Sequence, residues 1–446
     1  MKSTQDVIVK LLANIGSRKE VDQYLRHYAS VDAPKFAVVK VSGSVIDAAL
    51  DDLVSSLSFL QRVGLVPIVV HGGGAQVDRA LAEAGIDSPR IGGRRVMTPD
   101  VLTIARRALH ETNRQLVESL EALGTRARPF TSGVFEVEAA DDPGLGLTGS
   151  VTHVADSGLI SSARAGALAV VTPLGETTGG QIVVLEADQA ARELALALRP
   201  HKVVFLNERG GLHDGSGTLL SAVNLCEDWD ALAADPSLPQ ETSRKLAAIA
   251  SMLDELPATS SVSITSPDHL AKELFTHRGA GTLVRRGERV HVHTAFESLD
   301  RDRLRALLEE CFGRRLHAGY FESKAPYRIY LSESYRATAI LTLEDGVPYL
   351  DKFAVTTEAQ GEGIGGSLWN RLRKENPQLF WRSRAENPIN GWYAQNADGL
   401  YKAGPWWVFW CGLSDFEAIR RCVERGLAMP ATLKDGRQDS SLEDPS

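Results

Sequence analysis

Two hydrophobic periods alternate along the chain, and the switches between them divide it into segments of different architecture. From Asp6 to Ala29 apolar residues recur at helical spacing, first Val7, Leu11, Leu12 and Ile15, then Val21, Tyr24, Leu25 and Tyr28. This predicts two short amphipathic helices whose apolar stripes need a partner surface, the body of the domain or a second subunit. From Lys35 the pattern changes to short apolar runs that end in glycine turns and lead into helical stretches. Phe36 to Val41 precedes SGS, and Leu65 to Val70 precedes HGGG. Leu168 to Val171 and Val203 to Leu206 repeat the theme, the latter before GGLHD. Such alternation predicts parallel strands joined by crossover helices.

A periodic helix from Ser243 to Leu256, the strand-like SVSIT and the run GTLVRRGE carry this α/β domain to residue 288. A second, mixed α/β domain is predicted over 289–433. It has a helix from Arg301 to Phe312, strands at Arg328 to Leu331 and Ala337 to Leu343, and the run PYLDKFAV. Residues 434–446 are polar and aperiodic, and are expected to form a flexible tail.

At 446 residues, 43% hydrophobic, the chain has the material for two buried cores. Its formal net charge of -8 argues against a generic nucleic-acid surface, which would cluster Lys and Arg. Cys226, Cys311, Cys411 and Cys422 show neither CxxC spacing nor histidines at zinc-ligand intervals, so reduced thiols and no structural metal are expected. No apolar run approaches the roughly 20 residues that span a bilayer, and the N-terminus lacks a secretory core. A cytoplasmic protein without membrane contact is expected.

The sharpest local signal is a strand, Tyr349 to Val355, followed by QGEGIGGSLWNRL, which reads as a glycine loop opening into a helix. Gln360, Gly361, Gly363 and Gly365 fit the spacing Q/R-x-x-G-x-G/A, in which absent side chains let a pyrophosphate reach main-chain amides at a helix start. A plain structural turn has the same pattern. The next strand, Leu379 to Arg384, places Arg382 and Arg384 on one face, where paired guanidiniums can grip a dicarboxylate. An ordinary solvated strand face is the alternative.

YLDKFAV, QGEGIGGSLWNRLR, FWRSRAENPINGWY and WWVFWCGL together resemble the acetyltransferase domain of vertebrate-type N-acetylglutamate synthases, over roughly Leu299 to Ala428. The resemblance implies a GNAT fold. Phe353, Ala354, Val355 and the loop Gln360, Gly361, Gly363, Ile364 and Gly365 would then hold acetyl-coenzyme A. Arg382, Arg384 and Arg314 would bind the glutamate carboxylates, and Asn387 and Tyr393 would stand at the reacting centre, Tyr393 as the acid for the departing thiolate. Tyr349 and Asp351, on one strand face, would orient or deprotonate the amine or else be structural. Trp381, Trp392, Trp406, Trp407 and Trp410 are expected as core and cleft walls.

Lys40 in VVKVSGS, Gly72, Gly73 and Gly74 of HGGG, Arg95 in RRVMT, Asp188 in EADQAA and Lys245 in SRKLAA follow the motif order of N-acetylglutamate kinases. The first domain therefore resembles the amino-acid kinase family, in which two lysines, an aspartate and glycine amides would stabilise a transferring phosphoryl group. It departs from that pattern where Ser42 replaces a glycine, Val184 and Glu186 replace two asparagines, and Gln240, Glu241 and Thr242 replace Gly-Gly-Met. The added Glu241 carboxylate near the expected nucleotide implies weakened or absent ATP turnover, unless a cation compensates.

The leading expectation is an N-acetylglutamate synthase of arginine biosynthesis whose kinase-like domain is regulatory. The rival is a bifunctional synthase that also uses Mg-ATP, and a non-enzymatic arginine-sensing protein is a third reading. The resemblance further implies L-arginine as effector and a homo-oligomer, commonly a tetramer.

Overall fold

The computed structural model describes residues 36–139, 143–275, 280–361 and 363–434, and the chain divides into two units after Arg286. The helices expected between Asp6 and Ala29, and the tail beyond Lys434, lie outside the described residues.

The first unit is built on an eight-stranded sheet: β1 (Ala37–Val41), β2 (Ile68–His71), β3 (Ala127–Phe130), β4 (Leu168–Val171), β5 (Lys202–Leu206), β6 (Ala222–Asn224), β7 (Ser261–Thr265) and β8 (Gly281–Arg285). The spatial order is β6-β8-β7-β5-β1-β2-β4-β3, and every neighbouring pair is parallel except β7 with β8. β2, β4 and β5 are buried along their whole length because helices cover both faces of the sheet, which is why they read as unbroken apolar runs. The helices that bear on function are α1 (Gly74–Ala84), α2 (Pro99–Ala122), α3 (Ala187–Leu198) and α4 (Gln240–Glu255). α2 starts sharply because Thr98 accepts from the Val101 amide at 3.3 Å and Pro99 occupies the first turn. A smaller four-stranded sheet, Phe135–Ala139, Gly149–Val154, Leu174–Thr177 and Ile182–Val184, stands beside the main one.

The second unit is a seven-stranded mixed sheet: β9 (Val290–His293), β10 (Arg328–Ser332), β11 (Ala337–Glu344), β12 (Val347–Val355), β13 (Leu379–Arg384), β14 (Gly399–Ala403) and β15 (Trp406–Cys411). Its order is β9-β10-β11-β12-β13-β15-β14. β12 and β13 are the one parallel pair, and they register only at Tyr349 with Phe380. Its main helices are α5 (Arg301–Phe312), α6 (Ile364–Glu375), α7 (Asn390–Asn396) and α8 (Phe416–Ala428). α6 packs Leu368, Trp369 and Leu372 with Leu350, Val355 and Trp381 in one core, and α5 packs Leu304, Leu307 and Leu308 with Ile340 and Ala354 in another. Among the described residues no helix is long and apolar enough to cross a membrane.

Candidate functional sites

In the second unit, the register between β11 and β12 slips at Ile340 and Leu341, which face Lys352 and Leu350 and leave Asp351 as a bulge. Beyond Tyr349–Phe380, β12 and β13 register no further pair, so the strands splay where YLDKFAV and WRSR lie. At the end of β12 the chain turns through Thr357–Gly361 into α6, and Gln360 donates to the Val355 carbonyl at 3.0 Å. Gly363 precedes α6 with φ 74°, a left-handed conformation that glycine adopts without strain. A Cβ on Gly365 would lie 3.0 Å from Val355 Cγ2, so a side chain here would crowd the strand end on which the helix rests. The sequence-predicted loop and strand end are thus adjacent.

Arg382 and Arg384 do share a face, stacked at 4.0 and 5.3 Å from the Trp406 ring. Arg382 is also engaged by the C-terminal end of α8. It donates to the carbonyls of Gly426 at 3.2 Å, Leu427 at 3.4 Å and Pro430 at 2.9 Å. Arg382→Ala is therefore expected to cost about 1.5–3 kcal/mol of stability. Tryptophan fluorescence would report this as a lower denaturant midpoint, since every tryptophan but Trp229 lies in this unit. An unchanged midpoint would leave Arg382 free of that anchoring role.

Asn387 and Tyr393 project to the other side of β13. Asn387 donates to Ser383 Oγ at 3.0 Å, and Tyr393 packs among Trp369, Trp381, Trp392 and Phe409. The Tyr393 hydroxyl makes no hydrogen bond among the described residues, and burial pushes its pKa above the ordinary phenol value. Phe353 stacks on Trp392 at 5.8 Å. Of the expected cleft tryptophans, Trp381 is fully buried core and Trp406 is the platform for the arginine pair.

Asp351 is buried and accepts from Lys324 at 2.9 Å, Lys352 at 2.8 Å and the Tyr320 hydroxyl at 2.7 Å. Burial alone would raise its pKa, but the two ammonium groups pull it far below the usual carboxylate range. A carboxylate so held is a weak base, which argues against Asp351 deprotonating the amine. Tyr349 is raised by burial and by the Asp351 charge, and it packs on Phe380. Beside this cluster lies a cavity of about 430 Å³ lined by His317, Tyr320, Lys324, Glu344, Arg425 and Thr432, among others. Sequence reasoning missed Lys324 because its partner lies on a strand 27 positions away. Arg314 follows the left-handed Gly313 that ends α5, and it is not among the residues that line the cavity.

In the first unit, the kinase-like residues converge where β1, β2 and β5 end. Lys40 Nζ lies 2.9 Å from Asp188 Oδ1 at the start of α3, and Lys245 of α4 binds the other oxygen, Oδ2. One carboxylate thus bridges two ammonium groups. Desolvation would raise the Asp188 pKa, but Lys40 and Lys245 bring it down to about 2. The Lys245 ammonium also lies 3.9 Å from the centre of the Phe205 ring. Ser42, at a glycine position of the family, accepts from Lys40 at 3.2 Å and donates to the Leu206 carbonyl at 2.9 Å, so it orients the lysine.

The glycine turns crowd one another. A Cβ on Gly43 would meet Gln76 Oε1 at 2.5 Å, one on Gly72 would meet the Gly43 amide nitrogen at 3.2 Å, and one on Gly73 would meet Leu109 at 2.5 Å. Gly74 opens α1 with nothing near its Cβ position. His71 is buried and neutral, its pKa lowered to about 4 chiefly by desolvation. Its Nδ1 therefore donates to the Gly72 carbonyl at 3.0 Å while Nε2 accepts from Thr172 at 3.3 Å.

Arg95 is held by Asp78 of α1, which also accepts from Arg90 at 3.1 Å, and the adjacent Arg94 pairs with Glu186 at 2.9 Å. Val184 packs against an apolar cluster that contains Met97 and Leu174. Glu241 is 83% exposed and lies 3.5 Å from Arg209, so the cation that the sequence argument required is present. The electrostatic case against ATP turnover loses its force there, although the two missing asparagines remain missing.

Residues 35–248 match the amino acid kinase family, and residues 291–427 match the N-acetyltransferase of N-acetylglutamate synthase. An acetylglutamate kinase of Xylella fastidiosa is 46% identical over 421 residues, spanning 94% of this chain and 100% of its own. That of Xanthomonas campestris is 47% identical over 424 residues, with the same coverage. The mitochondrial N-acetylglutamate synthase of Mus musculus is 35% identical over 421 residues, 93% of this chain and 76% of its own. A crystal structure of N-acetylglutamate synthase from Neisseria gonorrhoeae, complexed with coenzyme A and N-acetyl-glutamate, superposes with a TM-score of 0.61 at 21% identity, over 88% of this chain and 98% of that one, and so shares the fold. The chain belongs to the family of acetylglutamate kinases and N-acetylglutamate synthases of arginine biosynthesis that join an amino-acid kinase domain to a GNAT-type acetyltransferase domain.

Proposed function

We propose that the chain is a bifunctional enzyme: its second unit acetylates L-glutamate with acetyl-coenzyme A, and its first phosphorylates the product with Mg-ATP. The observation that carries the kinase half is the Lys40–Asp188–Lys245 bridge beside the crowded glycine turns. Full-length relatives at 46–47% identity are named acetylglutamate kinases, which supports the same reading.

In the acetyl transfer, the splayed edges of β12 and β13 would offer main-chain groups to the amides of a pantetheine arm, and the amides at the start of α6 would receive a pyrophosphate. The neutral amine attacks the thioester carbonyl and the C–S bond breaks. Tyr393, kept protonated by its apolar surroundings, gives its proton to the thiolate, and the proton that the nitrogen releases as the amide forms passes to solvent, from which the phenol is restored. Arg384 over Trp406, and Lys324 and Arg425 at the cavity, where they pair with Asp351 and Glu344, are the cations that would meet a dicarboxylate. In the phosphoryl transfer, the γ-carboxylate of N-acetylglutamate attacks the terminal phosphorus and ADP leaves. Lys40 and Lys245, fixed by Asp188, neutralise charge on the moving phosphoryl oxygens. L-Arginine as an effector, a homo-oligomer and a cytoplasmic setting belong to this proposal.

A second reading, a synthase with a regulatory kinase unit, is favoured by Val184 and Glu186 standing where the kinase pattern has asparagines. One assay separates them. Purified protein receives glutamate with acetyl-coenzyme A, and separately N-acetylglutamate with Mg-ATP, with acyl phosphate trapped by hydroxylamine. Both products are expected; acetylglutamate without acyl phosphate would leave the second reading standing.

A further inference from the structure

The histidine of HGGG belongs to a buried polar network that the kinase motifs do not account for. β2 and β4 pair in parallel up to Val70 and Val171, so the next residue on each, His71 and Thr172, stand side by side. Asn113 of α2 meets them there, and none of the three is more than 1% exposed.

Each hydrogen bond in this network has one possible direction. The Val170 carbonyl can only accept, so the Asn113 group 2.9 Å from it is the NH2, which also donates to Thr172 Oγ1 at 3.0 Å. Thr172 keeps its own proton to give, and it gives it to His71 Nε2 at 3.3 Å. The single proton of the neutral ring is thereby confined to Nδ1, which donates to the Gly72 carbonyl at 3.0 Å. The order of donors runs Asn113, Thr172, His71, and it ends on the glycine turn.

Gly72 is consequently fixed at both ends, since its amide donates to the Val41 carbonyl at 2.7 Å. A trans peptide sets the following N–H antiparallel to the carbonyl, so the Gly73 amide points away from the buried ring. The Gly73 nitrogen lies 3.3 Å from where a Gly43 Cβ would be, beside the turn in which Ser42 holds Lys40. Among the described residues this amide has no partner. Gly73 is also the residue that precedes α1, where the helix dipole adds to the donor.

We propose that His71 is a positioning residue of the kinase-like unit, supported by Thr172 and Asn113, whose ring holds the Gly72 carbonyl back so that the Gly73 amide meets a phosphoryl oxygen. This rests on the kinase reading above. The ring transfers no proton in the reaction; it sets the direction of one main-chain donor.

Imidazole nitrogen shifts measured by NMR test the network without turnover. In the full chain labelled at histidine, the signal that His71→Asn removes should belong to a neutral ring protonated at Nδ1 at neutral pH. A ring protonated at Nε2, or at both nitrogens, overturns the proposal. Steady-state phosphorylation of N-acetylglutamate tests the consequence. His71→Leu should lower kcat about tenfold, less than the loss of a whole oxyanion donor because the amide is misaimed rather than removed. KM for N-acetylglutamate should stay in place, since the amide answers charge that moves in the transition state. His71→Asn, which sets an NH2 where Nδ1 stands, should recover most of kcat. Thr172→Val, the same shape without the hydroxyl, should lose part of kcat, and Thr172→Ser should keep it. Equal kcat for His71→Leu and His71→Asn, or for Thr172→Val and Thr172→Ser, would make these side chains packing alone and overturn the proposal. Absence of acyl phosphate from the unmodified protein would instead overturn the kinase reading, and this proposal with it, whatever the imidazole signal shows.

Discussion

Asp188→Asn should lower the kcat for phosphorylation of N-acetylglutamate by about 10²–10³-fold, the scale of losing one preorganised electrostatic element. The carboxylate fixes both Lys40 and Lys245, and an amide of the same shape would leave two ammonium groups close together without a counter-charge. Because the folded-state pKa is depressed to about 2, the charge is fully present above the unfolded carboxyl value and is lost only as pH falls from about 4 toward 2. The deficit should therefore be flat from pH 5 to 9. Hydroxamate trapping across that range measures it, and a kcat within about threefold of the parent would remove Asp188 from the phosphoryl site.

Tyr393→Phe should slow acetyl transfer on the order of 100-fold while both substrates still bind. The change deletes one hydroxyl and keeps the ring between Trp381 and Phe409. The raised pKa places any ionisation of Tyr393 above the ordinary phenol range, so the loss should persist throughout neutral pH. Turnover followed by thiol release gives the answer. Unchanged turnover would make solvent the proton donor.

Elements with local stop and start signals were legible from sequence. α5 runs from Arg301 to Phe312 as its pattern predicts, since Asp300 caps its start at 3.0 Å and Gly313 turns left-handed at its end. β13 likewise spans Leu379–Arg384. The apolar run at Leu65 does not become strand until Ile68, because Pro67 has no amide to give the ladder. The four-stranded side sheet was not anticipated at all. Only FEVEA among its strands alternates plainly, and the others are three to six residues long with mixed exposure, too little to mark a second sheet.

The same division holds for the sites. The order of Lys40, Asp188 and Lys245 carried the bridge, since each sits in its own short motif. The neighbours of Asp351 could not be read, because Tyr320 and Lys324 reach it from a four-residue helix and the turn after it. The meaning of Glu241 turned on Arg209, a contact that only the fold creates.

The extra residue at Asp351 works as a change of phase within one strand. Leu350 and Phe353 face the same core, although simple alternation would set them on opposite sides, and Tyr349 and Ala354 likewise belong to clusters away from it. Odd positions look one way before the bulge and even positions look that way after it. A strand of uniform parity would set Leu350 and Phe353 on opposite faces. This one supplies aromatic and aliphatic groups to the α6 side along its whole length, and still brings Asp351 and Lys352 together on the other. The strand's length is consequently as much a part of its chemistry as its composition, and no substitution that preserves length can restore a phase lost by deletion.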